Sequence, residues 1–215
     1  MLRYTTVLFD LDGTLIDSIG LIVDSFHHTF AAFGRAPRSD AEWIAGIGTP
    51  LKVAFAPWAR DRAEIEAMIT VYREHNIAHH DARVRPYPGV VEMVRALDAA
   101  GVRLAVVTSK NRQGTQRGLV AAGLAEVIMA RVCADDVTQH KPHREPVDRA
   151  VALLDADPAR TLFVGDSVHD MASGRAAEVA TGAALWGPFE RDVLAEAEPR
   201  HWLDAPEQIL DLVRG

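Results

Sequence analysis

The sequence predicts an α/β fold: a doubly wound parallel sheet interrupted, just after its first strand, by a block of helices. Three observations predict it. Short apolar runs rich in β-branched residues recur along the chain with helical-period segments between them, the alternation of a parallel sheet. The first run, Thr6 to Phe9, ends in two carboxylates, Asp10 and Asp12, and Gly13 then frees the chain to turn sharply out of the strand. Residues 17–84 read as helices with no convincing strand. Carboxylates on a strand end at the mouth of a parallel sheet mark the place where open α/β folds do chemistry.

The helical block starts at once. Ile19, Ile22, Val23, Phe26, Phe30 and Phe33 recur at helical spacing, and Gly34 and Pro37 stop the run. Ser39 with Glu42 reads as a capping box opening a short helix. In Gly46–Leu51, Thr49 reads as an N-cap with Pro50 in the first helical position. Asp61 opens a further helix whose apolar side is Ile65, Met68, Ile69 and Tyr72. Arg85-Pro86-Tyr87-Pro88-Gly89 is stiff punctuation and reads as a hinge.

The alternating core then resumes. A helix from Val90 to Ala100 is closed by Gly101, and a strand from Val102 to Val107 ends in Thr108-Ser109-Lys110. A helix over Gln113–Ala122 is ended by Gly123. Val127 to Ala134 reads as the next strand, and Lys141-Pro142 precedes a helix beginning near Pro146. Thr161 to Val164 is a strand ending in Gly165-Asp166-Ser167-Val168-His169-Asp170. Thr181 to Trp186, helices near Glu190 and Pro206, and a last short strand at His201-Trp202-Leu203 complete the sheet edge.

Composition sets bounds. With 215 residues, 48% of them hydrophobic, the chain can bury a sizeable core. A net charge of −7 argues against a nucleic-acid or anionic-membrane surface, and no apolar run reaches the ~18 residues of a membrane span. The start leads straight into the first strand, which reads as no signal peptide. One cysteine, Cys133, allows no internal disulfide, fits a reducing cytoplasm and reads as an inert strand thiol. Of the 23 basic side chains only Lys52, Lys110 and Lys141 are lysines. In so arginine-biased a chain, a kept lysine can mark a need for a compact ammonium. His75 and His79 have metal-ligand spacing but no third ligand in view, so they read as a solvated helix face. His27-His28 and His79-His80 read as surface pairs, and His169 as pointing outward.

Asp10-Leu11-Asp12-Gly13-Thr14 resembles the first motif, D-x-D-G-T, of the haloacid dehalogenase superfamily in its phosphatase form. Thr108 resembles the second motif, Lys141 the third and Gly165-Asp166…Asp170 the fourth, in the expected order. The resemblance implies a Rossmann-like core over residues 1–16 and 86–215, with a helical cap over 17–85. It is greatest to phosphoglycolate phosphatase and related small-molecule phosphatases. It implies that Asp10 attacks phosphorus, Asp12 serves as general acid and then base, and Lys141 stabilises the gathered negative charge. Thr108 and Ser109 would donate to phosphoryl oxygens. A Mg²⁺ is implied, held by Asp10, the Asp12 carbonyl and Asp166, with Asp170 binding through water or orienting Lys141. The cap segment from Gly46 to Lys52, with Gly48 and Lys52 as candidates, would meet the substrate. Lys110 stands as either a substrate contact or a rim residue. The implied partner is a small phosphate ester, handled by a monomer or homodimer.

Four alternatives follow. A haloacid dehalogenase would lack Asp12. A phosphonoacetaldehyde hydrolase would use a cap lysine, and only Lys52 is there. A β-phosphoglucomutase keeps both aspartates but usually carries Glu where this chain has Gly165. A non-catalytic binding protein would be expected to lose a motif carboxylate or the lysine, and Asp10, Asp12, Lys141, Asp166 and Asp170 are all present.

Overall fold

A computed structural model describes residues 2–215. The first half runs β1 (Thr6–Phe9), β2 (Ile16–Asp17), α1 (Ile19–Ala32), α2 (Asp40–Ile44), α3 (Leu51–Phe55), α4 (Arg62–Arg83), β3 (Arg85–Pro86), α5 (Val90–Ala99) and β4 (Arg103–Val107). The second runs α6 (Arg112–Ala121), β5 (Ala130–Val132), α7 (Glu145–Leu153), β6 (Thr161–Gly165), α8 (Val168–Ala176), β7 (Ala180–Ala184), α9 (Arg191–Ala195), β8 (His201–Leu203) and α10 (Gln208–Arg214).

Six strands form one parallel sheet in the order β5-β4-β1-β6-β7-β8. β1 is buried along its whole length because helices cover both faces of the sheet. Val7 and Phe9 join Leu104, Val106, Leu162 and Val164 on one face, under Met93 and Leu97 of α5 and Leu119 of α6. Leu8, Ala105 and Phe163 point to the other face, against Val147 and Ala150 of α7. The strand order reverses at β1, so the crevice between the carboxyl ends of β4, β1 and β6 is the topological switch point.

The helices α1–α4 have a core of their own, formed by Phe26, Phe30, Trp43, Phe55, Met68 and Tyr72 with smaller neighbours. Phe26 stacks on Trp43 with centroids 4.6 Å apart and planes at 4°. The Ser39–Glu42 capping box forms as expected, and Asp61 caps α4 by accepting from the Glu64 amide at 2.9 Å. Among the described residues no helix is long and apolar enough to cross a membrane.

Several local expectations are corrected. β2 and β3 pair as a two-residue antiparallel ribbon, Ile16 with Pro86 and Asp17 with Arg85, so the chain enters and leaves the helical block through paired strands. Thr49 is not the cap of α3. Pro50 stays extended at φ −60°, ψ 144° just before the helix, while the Thr49 hydroxyl turns back to donate to the Gly46 carbonyl. β5 is shorter than the apolar run that predicts it. Val127 and Ile128 instead donate backbone hydrogen bonds to the Leu124 carbonyl, a turn that buries Leu124 and Ile128. Cys133 therefore lies just past β5, buried, where burial pushes its thiol up. His80 is buried at 2% exposure, not at the surface: the helix turns it inward at the base of the block. His28 does supply a third ring beside His75 and His79: it stacks on His75 at 4.4 Å, and His79 lies tilted against His75 at the same distance.

Candidate active site

The end of β1 is shaped by its turn. The Leu11 carbonyl accepts from the amides of Thr14, Leu15 and Ile16, closing the chain tightly on itself. Gly13 sits at φ +87°, and a Cβ there would lie 2.4 Å from Asp166 Oδ2. Only glycine allows both the left-handed backbone and that approach. The turn delivers Asp10, 5% exposed, to the switch-point crevice.

Lys141 meets it from the loop before α7. Glu145 fixes that loop by accepting from the Thr138 and Gln139 amides at 3.0 and 2.8 Å. The Lys141 ammonium donates to Asp10 Oδ1 at 2.8 Å, to Asp170 Oδ1 at 2.6 Å and to the Val107 carbonyl at 3.2 Å. Asp170 Oδ2 accepts from the Ser167 amide and hydroxyl in a capping box at the start of α8. Both oxygens of Asp170 are thus engaged, Oδ1 by Lys141 and Oδ2 by Ser167. Asp166 ends β6. Its Oδ1 accepts from the Thr14 hydroxyl at 2.7 Å, and its buried Oδ2 has no partner among the described residues.

Asp10, Asp166 and Asp170 each offer an oxygen within 4.8 Å of the others, and among the described residues no other group of His, Cys, Asp or Glu does so. Three carboxylates face one ammonium. Burial, with Asp170 beside it, raises the Asp10 carboxyl to about 7 against the pull of Lys141. Burial and the two neighbouring carboxylates raise Asp166 well above its ordinary range. Burial opposes the Lys141 charge, but Asp10 and Asp170 outweigh it and raise the ammonium. An all-oxygen, overcharged cluster with an unpartnered buried oxygen fits a hard divalent cation.

Asp12 stands apart. Its carboxylate points toward a cavity of about 330 Å³ between the sheet and the helical block. Oδ1 accepts from the Ser18 hydroxyl at 2.6 Å, and Lys110 donates to Oδ1 and Oδ2 at 2.8 and 3.0 Å. The side chain of Asp12 is therefore outside the carboxylate cluster, which leaves its backbone carbonyl as the implied ligand. Lys110 lines the cavity and is engaged with Asp12.

Thr108, Ser109, Gly48 and Lys52 all line the cavity. The Thr108 hydroxyl accepts from the Lys110 amide at 3.1 Å. Ser109 donates to the Gly48 carbonyl at 2.6 Å, so these two residues bridge the sheet and the helical block. Gly48 sits at φ +97°, and a Cβ there would come within 3.2 Å of both His169 and Ser167. His169 thus faces the block and does not point outward. Gly48→Ala is expected to cost about 1–3 kcal/mol of strain in the closed arrangement. Denaturant unfolding would measure it, and an unchanged midpoint would contradict the contact.

Sequence reasoning missed Thr14, Ser18 and Ser167 as partners of Asp166, Asp12 and Asp170. Ser167 carries a local signal, a hydroxyl three residues before an acid. Gly187 was also missed. A Cβ on it would lie 2.4 Å from that of Asp166, so its backbone walls the cluster on the β7 side.

The sequence model of the haloacid dehalogenase-like hydrolases matches residues 7–184. The chain belongs to this family. Within these hydrolases it is 40% identical over 214 residues to pyrophosphatase PpaX of Halalkalibacterium halodurans, covering 99% of this chain and 98% of that one. It is 39% identical to pyrophosphatase PpaX of Bacillus cereus, over 99% of this chain and 97% of the relative. A predicted phosphoglycolate phosphatase from Haemophilus somnus superposes with a TM-score of 0.87 at 25% identity, over 99% of both chains. A haloacid dehalogenase-like hydrolase from Bacteroides fragilis gives 0.89 at 24% identity, over 96% of this chain and 99% of that one, a likeness of fold. This hydrolase family membership makes the chain an enzyme with phosphatase and pyrophosphatase relatives, and its buried aspartates form a site able to hold a divalent metal.

Proposed function

We propose that the protein is a Mg²⁺-dependent phosphatase of small phosphate compounds that works through an aspartyl-phosphate on Asp10. Phosphomonoesters such as phosphoglycolate and the anhydride pyrophosphate are the substrates to test first. The observation that carries this reading is Asp10 itself. It is buried at a strand end and held on one oxygen by Lys141, and it lines the cavity. The relatives named for pyrophosphate support including an anhydride, because they cover nearly the whole chain.

Asp10, Asp166 and the Asp12 carbonyl would hold the ion, which when bound neutralises phosphoryl charge as a Lewis acid. Lys141 holds Asp10 Oδ1 and leaves Oδ2 to attack. The Asp10 oxygen bonds to phosphorus as the bond to the leaving oxygen breaks. The electron pair goes to that oxygen, which takes the proton of Asp12. Asp12 then removes a proton from water as the water oxygen attacks the phosphoryl-aspartate. The phosphorus–Asp10 bond breaks, and its pair returns to the carboxylate. Thr108 and Ser109 steady the phosphoryl oxygens. Residues 17–85 act as a cap that excludes bulk water while the leaving group departs.

Gly165 favours hydrolysis over the mutase alternative. A Cβ there would meet Asp170 at 2.4 Å, leaving no room for the Glu usual in mutases.

The test is phosphate release from a panel of phosphate compounds with Mg²⁺ and with EDTA. Release that needs the ion supports the reading, and release unchanged by EDTA overturns it. Asp166→Asn is expected to raise the Mg²⁺ concentration for half-maximal activity at least about 10-fold. An unshifted metal titration would remove Asp166 from the ligand set.

A further inference from the structure

Lys110 is bonded to both oxygens of Asp12, and its position is built. Its carbonyl accepts from the Ala134 amide at 3.0 Å, which fixes the backbone. Its side-chain stem crosses the bare face of Gly114 in α6, with Cγ and Cε 3.1 and 3.0 Å from where a Cβ would be. The ammonium ends in the cavity, 16% exposed, with the Asp12 carboxylate 14% exposed. Pairs this enclosed are weakly screened by solvent. While the pair is closed, Lys110 engages both oxygens of Asp12. Oδ1 carries Ser18 and Lys110, and Oδ2 carries Lys110.

The same cavity holds the competitor's place. Lys52 and Arg73 line it from the helical block, and Arg117 lines it from α6. Arg117 also donates to the Ile77 carbonyl at 2.8 Å, tying α6 to α4 across the cavity rim. Lys52, Arg73 and Arg117 thus line the cavity along with Glu66 and Asp135, and an anionic leaving group would have these cations within the same cavity. A phosphate or carboxylate there competes with Asp12 for the Lys110 ammonium. A neutral alcohol does not.

We propose that Lys110 is a latch on Asp12 that only an anionic leaving group opens. The anion draws the ammonium off the carboxyl. Ser18 keeps its hold on Oδ1, so Oδ2 is the oxygen released; it takes up a proton from solvent and passes it to the leaving oxygen. Lys110 is thereby a specificity-determining residue: it selects phosphoanhydrides and phosphate esters carrying a second anion over esters of neutral alcohols. This rests on Asp10 as nucleophile and Asp12 as acid and base.

The experiment compares Lys110→Met with wild type on pyrophosphate, 2-phosphoglycolate and glycerol 2-phosphate. The first two have anionic leaving groups. The third leaves as a neutral alcohol; its ester oxygen needs a proton on leaving, as that of 2-phosphoglycolate does, so the two esters differ in the second anion. The variant is expected to gain about 10-fold or more in kcat on glycerol 2-phosphate, because Asp12 is no longer held, and to show a raised KM on the two anionic compounds, which lose a cation. A merely structural lysine would lower all three together, so a uniform loss overturns the latch. A rise in KM on the anionic compounds with no gain on glycerol 2-phosphate also overturns it, because it marks simple anchoring. Lys110→Gln, which keeps the stem and drops the charge, serves if the Met variant unfolds, and the same gain is expected. Wild type inactive on all three would overturn the proposed function and the latch together. Wild type active with no gain in the variant overturns the latch alone.

Discussion

Asp10→Asn is expected to abolish phosphate release from every substrate by about 10⁴-fold or more, as removal of a covalent nucleophile does. The amide keeps the shape of the carboxylate and still offers Lys141 an acceptor. It lacks the negative charge needed to attack phosphorus and to hold the cation. The fold should survive, because the substitution relieves the cluster. Wild type sets three buried carboxylates against one ammonium, and the variant sets two against it. Metal-free protein gives a matched control. Asp10 is raised to about 7 by burial and by Asp170, against about 3.8 when free. The folded state therefore binds the extra proton between those values, and metal-free stability falls as pH rises from about 4 to about 7. The Asn variant should be spared that part of the fall. Residual turnover within 10-fold of wild type would eliminate Asp10 as nucleophile.

Lys141→Met is expected to produce the largest loss of stability together with loss of turnover. Lys141 is 4% exposed and Asp170 fully buried, so removing the ammonium strands two carboxylates where water cannot solvate them. Breaking a buried pair in this way costs about 3–5 kcal/mol. Denaturant unfolding would read it. Adding Asp10→Asn to Lys141→Met should recover part of the loss, since it removes one of the stranded charges. Failure to recover would mean that the packing of the lysine stem matters more than its charge. Lys141→Arg should not rescue turnover, because a planar fork does not fit a space built for one nitrogen among Asp10, Asp170 and the Val107 carbonyl.

The lysines divide what could be read from sequence from what could not. Lys141 stands out in a chain with three lysines, and its partners Asp10 and Asp170 lie just past a strand and in the first turn of a helix, both strongly patterned. Its role follows from charge: a dianion and a carboxylate need a cation. Lys110 stands beside a readable motif, but its partner Asp12 is 98 residues away. Which way a long flexible side chain turns is decided by packing against Gly114 and by the reach of Asp12, and no local pattern encodes that. Lys52 lines the cavity and is exposed, as its place in the cap segment implied.

The sequence by itself determined the strand-and-helix alternation, the helical block after the first strand, and the order of the carboxylates and the lysine. These follow from periodicity, glycine stops and caps, which act within a few residues. Tertiary structure decided the rest. It made a paired ribbon of Ile16-Asp17 and Arg85-Pro86, because two residues of strand carry no period to read. It engaged both oxygens of Asp170, left Asp166 Oδ2 bare, buried His80 and closed Lys110 over Asp12. Each of these is a balance of desolvation against partners brought from distant segments, and only the folded chain sets those partners side by side.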